Sequence, residues 1–121
     1  MATVREQQIE ALRDAADYMD RLIPSMEQVI AEIKGTMQED TIDFLHQVVD
    51  GLNFMIETYN VTRDVLNSDG ELINDDVFEE CVGNLSDGFS KRNYEKIADV
   101  LSESIVPFLK VFREAARRKT A

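Results

Sequence analysis

A chain of 121 residues with 44% hydrophobic and 31% charged residues has the size and composition of one soluble globular domain, spanning residues 1–121, that buries a core without disulfides or metal. Acidic residues outnumber basic ones by 24 to 13, and the net charge of −11 excludes a face for the nucleic-acid phosphate backbone and favours basic protein partners. The lone cysteine, Cys81, excludes an internal disulfide framework; with no membrane-length apolar run and no signal-peptide core in the first 20 residues, a cytoplasmic location is expected.

Apolar residues then define the elements in chain order. Ile9, Leu12, Ala16, Met19, Ile23, Met26, Ile30, Ile33 and Met37 recur in alternating steps of three and four, which predicts a first helix over about residues 4–34. Gly35 closes it, and Thr36 with Glu39, or Asp40 with Asp43, supplies the cap of the next. Ile42, Leu45, Val49, Leu52, Ile56, Tyr59 and Leu66, interrupted by Arg63, predict a second helix over about residues 40–66. Residues 67–75 break the period. Val77, Phe78, Cys81, Val82 and Leu85 form a short third helix that ends at Gly88 and Ser90, and Tyr94, Ile97, Leu101, Ile105, Phe108, Phe112 and Ala115 a fourth over about residues 93–117. Alternating strand patterns are missing, so the expected fold is all-α: an antiparallel helical bundle of three long helices plus one short helix.

Pro24 and Pro107 fall inside these seams. An internal proline costs a helix about 3 kcal/mol, yet the apolar period continues past both, so kinks rather than ends are expected. Aligning the two prolines places Leu22 and Ile23 on Ile105 and Val106, and Met26 and Val29 on Leu109 and Phe112. Any two proline-kinked amphipathic helices align in this way, so the match does not by itself establish an internal repeat.

The run YMDRLIPSMEQVI from Tyr18, followed by VVDGLNFM from Val48, resembles small uncharacterised helical-bundle proteins of Gram-positive bacteria with a Tyr-x-x-x-Leu-Ile-Pro element and then an apolar helix carrying an Asp-Gly or Glu-Gly pair. The resemblance covers the first half of the chain. It implies a bacterial cytoplasmic setting and carries no activity with it.

DVLNSDGELINDD, from Asp64 to Asp76, has the look of a calcium loop. With Gly70 at the turn position, Asn67, Asp69, Glu71 and Asp76 fall on ligand positions, but the first ligand position is Val65 and the last is an Asp where a bidentate Glu is needed. A turn with positive φ at Gly70, followed by an Asn74 or Asp75 cap, explains the same residues, and calcium binding tighter than about millimolar is not expected.

Chemistry-bearing residues are sparse elsewhere. His46, with Asp43 and Asp50 on the same helical face, offers one Asp-x-x-His where a di-metal bundle needs two such pairs. Cys81 has Glu79 and Glu80 beside it, which disfavours a thiolate nucleophile. No phosphate-binding glycine loop, G-x-S-x-G or H-E-x-x-H motif is present. The basic run of Arg113, Arg117, Arg118 and Lys119 suits the last turn of a helix, where the dipole favours cations.

The second helix is richer in apolar residues than one buried face requires. Phe54, Val61 and Val65, seven and eleven residues apart, make an extra stripe that is either core, if this helix is the central element flanked by the first and fourth, or a partner-binding surface. Gly51, inside the helix, fits close backbone approach at such a surface. The expectation is a non-enzymatic interaction protein without cofactor, metal, membrane or small-molecule substrate. It is either a small acidic adaptor or chaperone-like bundle that binds a partner helix, or a self-associating bundle, with a homodimer formed through Phe54, Val61 and Val65. A calcium- or metal-binding protein using the carboxylates is the weaker alternative.

Overall fold

The computed structural model of the chain describes residues 3–68, 70 and 75–121. It contains α1 (Val4–Lys34), α2 (Thr41–Leu66), α3 (Asp75–Ser90), α4 (Tyr94–Val100), a π turn (Leu101–Ile105) and α5 (Val106–Lys119). Since α4, the π turn and α5 follow one another without a break, the architecture is four helical rods, with no strand among the described residues.

Helix α1 lies along both α2 and α5, and α3 lies along α4, giving the ring order α2, α1, α4/α5, α3. Pairs at the two ends fix the directions. Gln8 Nε2 donates to the Val61 carbonyl and Thr41 Oγ1 donates to Glu32, so α1 and α2 are antiparallel. Asp20 holds Arg113 and Arg117, and Lys34 pairs with Asp99, so α1 also runs against the fourth rod. The central helix is therefore α1, not the apolar-rich second helix that the sequence pattern offered as the core element. Its buried set of Leu12, Ala15, Ala16, Met19, Leu22, Ile23, Met26, Val29 and Ile30 is wide enough to meet a helix on each side. Ala15 and Ala16 are the small members of that set, and they allow close approach.

Between α2 and α3 the contact is made by rings. Tyr59 stands 5.6 Å from Phe78, 5.1 Å from Phe108 and 5.6 Å from Phe112, centroid to centroid, tying α2, α3 and α5 together. Arg63 keeps its place in the α2 seam by lying over the Tyr59 ring at 5.0 Å. Thr58 and Thr62 are also buried, and each hydroxyl donates to a carbonyl one turn back, so their polarity is satisfied.

The two prolines are accommodated differently. Helix α1 runs through Pro24, whose side chain faces solvent. Pro107 follows the π turn, in which the Val106 N–H donates to the Leu101 carbonyl. Widening one turn is the expected response to a residue that has no N–H and whose ring crowds the carbonyl four residues earlier. The residues aligned around the prolines, Leu22, Ile23, Met26 and Val29 with Ile105, Val106, Leu109 and Phe112, are all buried.

Several boundaries depart from the sequence expectation. Met37 is 42% exposed beyond the end of α1 and does not extend the seam. Neither proposed capping pair closes the start of α2; Asp40 makes no side-chain cap bond, and buried Thr41 accepts from the Gln38 N–H while donating to Glu32. Gly70 has φ 129°, the turn conformation that glycine allows. Of the proposed caps of α3, Asp75 is already the first residue of the helix, and Asn74 lies, with residues 69 and 71–73 of the calcium-like loop, outside the described residues.

Candidate protein-interaction faces

The α1/α2 seam is shaped by a glycine. A Cβ placed on Gly51 would stand 2.5 Å from the Tyr18 hydroxyl and 3.0 Å from Leu22 Cδ1, so the bare backbone of α2 is the seat of the Tyr18 ring. Gly51 thus serves contact within the chain, which corrects its assignment to a surface for a partner. From this seat Tyr18 meets Phe54 edge-on at 6.0 Å, and Arg21 lies over its outer face at 5.6 Å. Below them is an open groove of about 240 Å³ between the helices, bounded by Tyr18, Arg21, Ser25, Phe44 and Gln47.

The three-residue stripe of α2 divides here. Phe54 is 55% and Val61 66% exposed, while Val65 is buried at 2%. Spacings of seven and eleven residues drift about 20° in opposite senses on a helix. Val65 consequently turns toward the buried file of Thr58 and Thr62, and Phe54 and Val61 turn outward. Val65 is a core residue and is withdrawn from the surface set.

Beside the two exposed side chains runs a file that the apolar reading missed. Asp43, Asp50, Glu57 and Asp64 recur every seven residues, and all are exposed. The regular spacing was the available signal. Asp64 accepts a hydrogen bond from Gln8, and the other three carboxylates project from α2 along the outer edge of Phe54 and Val61.

A second apolar opening lies between α3 and α5. Val77 and Val111 are 48% and 43% exposed. Between them is a cavity of about 290 Å³ floored by Phe108 and bounded by Cys81, Ser104 and Pro107, with Glu103 at its edge. Sequence reasoning passed over it because Val111 lies off the seam of the fourth helix and Val77 was assigned to the core.

The remaining candidates serve the fold. Arg113 and Arg117 clasp Asp20 on α1, at 3.1 and 2.5 Å, and Arg118 pairs with Glu114. His46 is exposed with its ring 6.1 Å from Phe89, and among the described residues no group of three His, Cys, Asp or Glu side chains is placed to hold a metal ion. At the α3/α4 corner, hydrogen bonds from Lys96 and Lys91 hold the Asp87 carboxyl below its ordinary titration range. Across the bundle, the hydrogen bond to Asp99 raises Lys34.

Among the described residues no helix is long and apolar enough to cross a membrane. Neither the curated proteins nor the solved structures contain a match to this chain. The model of one family, described as a domain of unknown function (DUF8042), matches residues 10–115, and with most of its length so matched the chain belongs to that family.

Proposed function

We propose that the protein is a non-enzymatic interaction module, a small acidic adaptor or chaperone-like bundle whose α1/α2 face receives a basic amphipathic helix of a partner protein. The observation that carries this reading is the exposure of Phe54 and Val61 on α2, Phe54 against the Tyr18 ring that borders the α1/α2 groove, with the acidic file of Asp43, Asp50 and Glu57 alongside. An amphipathic helix laid there covers the two apolar side chains with its own apolar stripe and meets the carboxylates with lysine or arginine at heptad spacing. A bacterial cytoplasmic setting belongs to the same reading.

Charge favours such a partner over a second copy. Two chains of net charge −11 that meet through this face bring two acidic files to one interface, and like charges there are unfavourable. The test compares wild type with Phe54→Asp plus Val61→Asp in affinity capture from a bacterial lysate, followed by sedimentation of the purified proteins. Capture of a protein whose bound segment is a basic amphipathic helix, lost in the double variant at unchanged helicity, supports the reading. A wild-type dimer that the double variant disperses replaces it with the self-associating bundle, and an unfolded double variant returns the two residues to the core.

A further inference from the structure

We propose that the opening between α3 and α5 is a second docking groove, which takes an apolar side chain from a basic helical segment of a partner. The inference rests on the same view of the chain as an interaction module, but on different residues. The α1/α2 groove and the α3/α5 groove share no lining residue and belong to different helix pairs. The chain thereby offers two separate docking sites, able to bridge two helices.

The length and lining of the groove point to its occupant. At about 290 Å³ it sits at the lower limit of pockets for small molecules and cofactors, roughly 300–1,000 Å³. It is also short, reaching from Val77 to Cys81 on α3 and from Ser104 to Val111 along the π turn and α5. That is about one turn of the first helix and two of the second, the length over which a docked helix presents one or two side chains. Its floor and walls are apolar, supplied by Phe108, Pro107, Val77 and Val111. The carboxylates at its border set the sign of the partner: Glu103 stands at the edge, and exposed Glu80 lies beside Cys81 on α3. An apolar anchor flanked by lysine or arginine matches this border, whereas a second copy of the acidic chain does not.

The groove contains its own reporter. Cys81 is the chain's one cysteine, partly exposed in the wall, so the rate at which an alkylating reagent modifies the thiol reads occupancy of this groove and no other. The probe is a synthetic leucine–lysine peptide with its leucines on one helical face, compared with a scrambled peptide of equal composition. The ordered peptide is expected to slow alkylation of Cys81 at least about tenfold at saturation, and the scrambled one to leave the rate nearly unchanged. Val77→Asp with Val111→Asp, at two exposed positions, is expected to abolish the protection. It should also weaken peptide binding at this groove by at least about tenfold, the equivalent of losing one buried aliphatic contact.

Phe54→Asp with Val61→Asp is expected to leave Cys81 protection intact. If that pair removes peptide binding at α1/α2 while protection persists, both faces stand. If it changes nothing while protection persists, the α1/α2 reading fails and this groove stands. An alkylation rate unaffected by the ordered peptide, or affected equally by the scrambled one, overturns the proposal. So does a wild-type dimer that Val77→Asp with Val111→Asp disperses.

Discussion

Replacing Gly51 by alanine sets two known quantities against each other. In a helix interior alanine is favoured over glycine by about 1 kcal/mol. Against that, the new Cβ stands 2.5 Å from the Tyr18 hydroxyl, a separation that van der Waals repulsion forbids, so the Tyr18 side chain must shift. The shift disturbs the edge contact to Phe54 and the guanidinium of Arg21 over the ring. An aromatic pair is worth about 0.5–1.5 kcal/mol and an exposed cation–π contact about 0.5–1 kcal/mol. The losses outweigh the gain, and Gly51→Ala is expected to destabilise the wild type by up to about 1.5 kcal/mol. In a Tyr18→Phe background the nearest atom becomes Leu22 Cδ1 at 3.0 Å, and the same substitution is expected to be stabilising by up to about 1 kcal/mol. Urea unfolding of the four proteins in this double-mutant cycle measures the change of sign. If Gly51→Ala stabilises both backgrounds equally, Tyr18 does not sit over Gly51, and the shape assigned to the α1/α2 groove is wrong.

Tyr59 has a fully buried hydroxyl with no hydrogen-bond partner among the described residues. Tyr59→Phe keeps the ring stack and removes the stranded group, so thermal unfolding is expected to shift upward by an amount equivalent to about 1 kcal/mol; a downward shift of that size would show that the hydroxyl is bonded. Asp20→Asn weakens the clasp on Arg113 and Arg117. It should cost about 0.5–1 kcal/mol at low salt and much less in 1 M salt, and a loss independent of salt contradicts the ionic origin. The titration of Asp87 is lowered on folding by Lys96 and Lys91, so its contribution to stability is full above the ordinary carboxylate value near about 4 and is lost as pH falls through the lowered one. Denaturation midpoints of Asp87→Asn should therefore fall less steeply than wild type below about pH 4, and parallel curves would refute the linkage.

The four rods were legible because each buries a strong apolar file, and the bounds of α1 and α2 lie close to the predicted ones. The π turn was not: the apolar period of the fourth rod fits an ordinary helix, and only Pro107 inside it pointed to a local distortion, read as a kink, where the structure widens the preceding turn. What periodicity could not supply was partnership. It showed that α2 had more apolar residues than one face needs, but whether Val65 or Phe54 is covered depends on neighbours distant in sequence. Gly51 was ambiguous for the same reason: close approach was correctly inferred, and only the packed structure identifies the approaching group as Tyr18. The α3/α5 groove escaped notice because Val77 and Val111 lie on separate helices, and neither makes a patch alone.

The clasp between Asp20 and Arg117 spans 97 residues of chain, which has a consequence for synthesis. As α1 leaves the ribosome it can pair with α2 across a short connection, but the half of its apolar surface that α5 covers has no partner until about the last turns of the fourth rod emerge. Closing so long a loop adds little to equilibrium cost, about 0.6 kcal/mol for each doubling of length, but it places a decisive contact late in folding. Nascent chains should therefore expose Ile23, Met26 and Ile30 for most of their translation, a window in which chaperones or premature self-association compete with α5 for the same helix face.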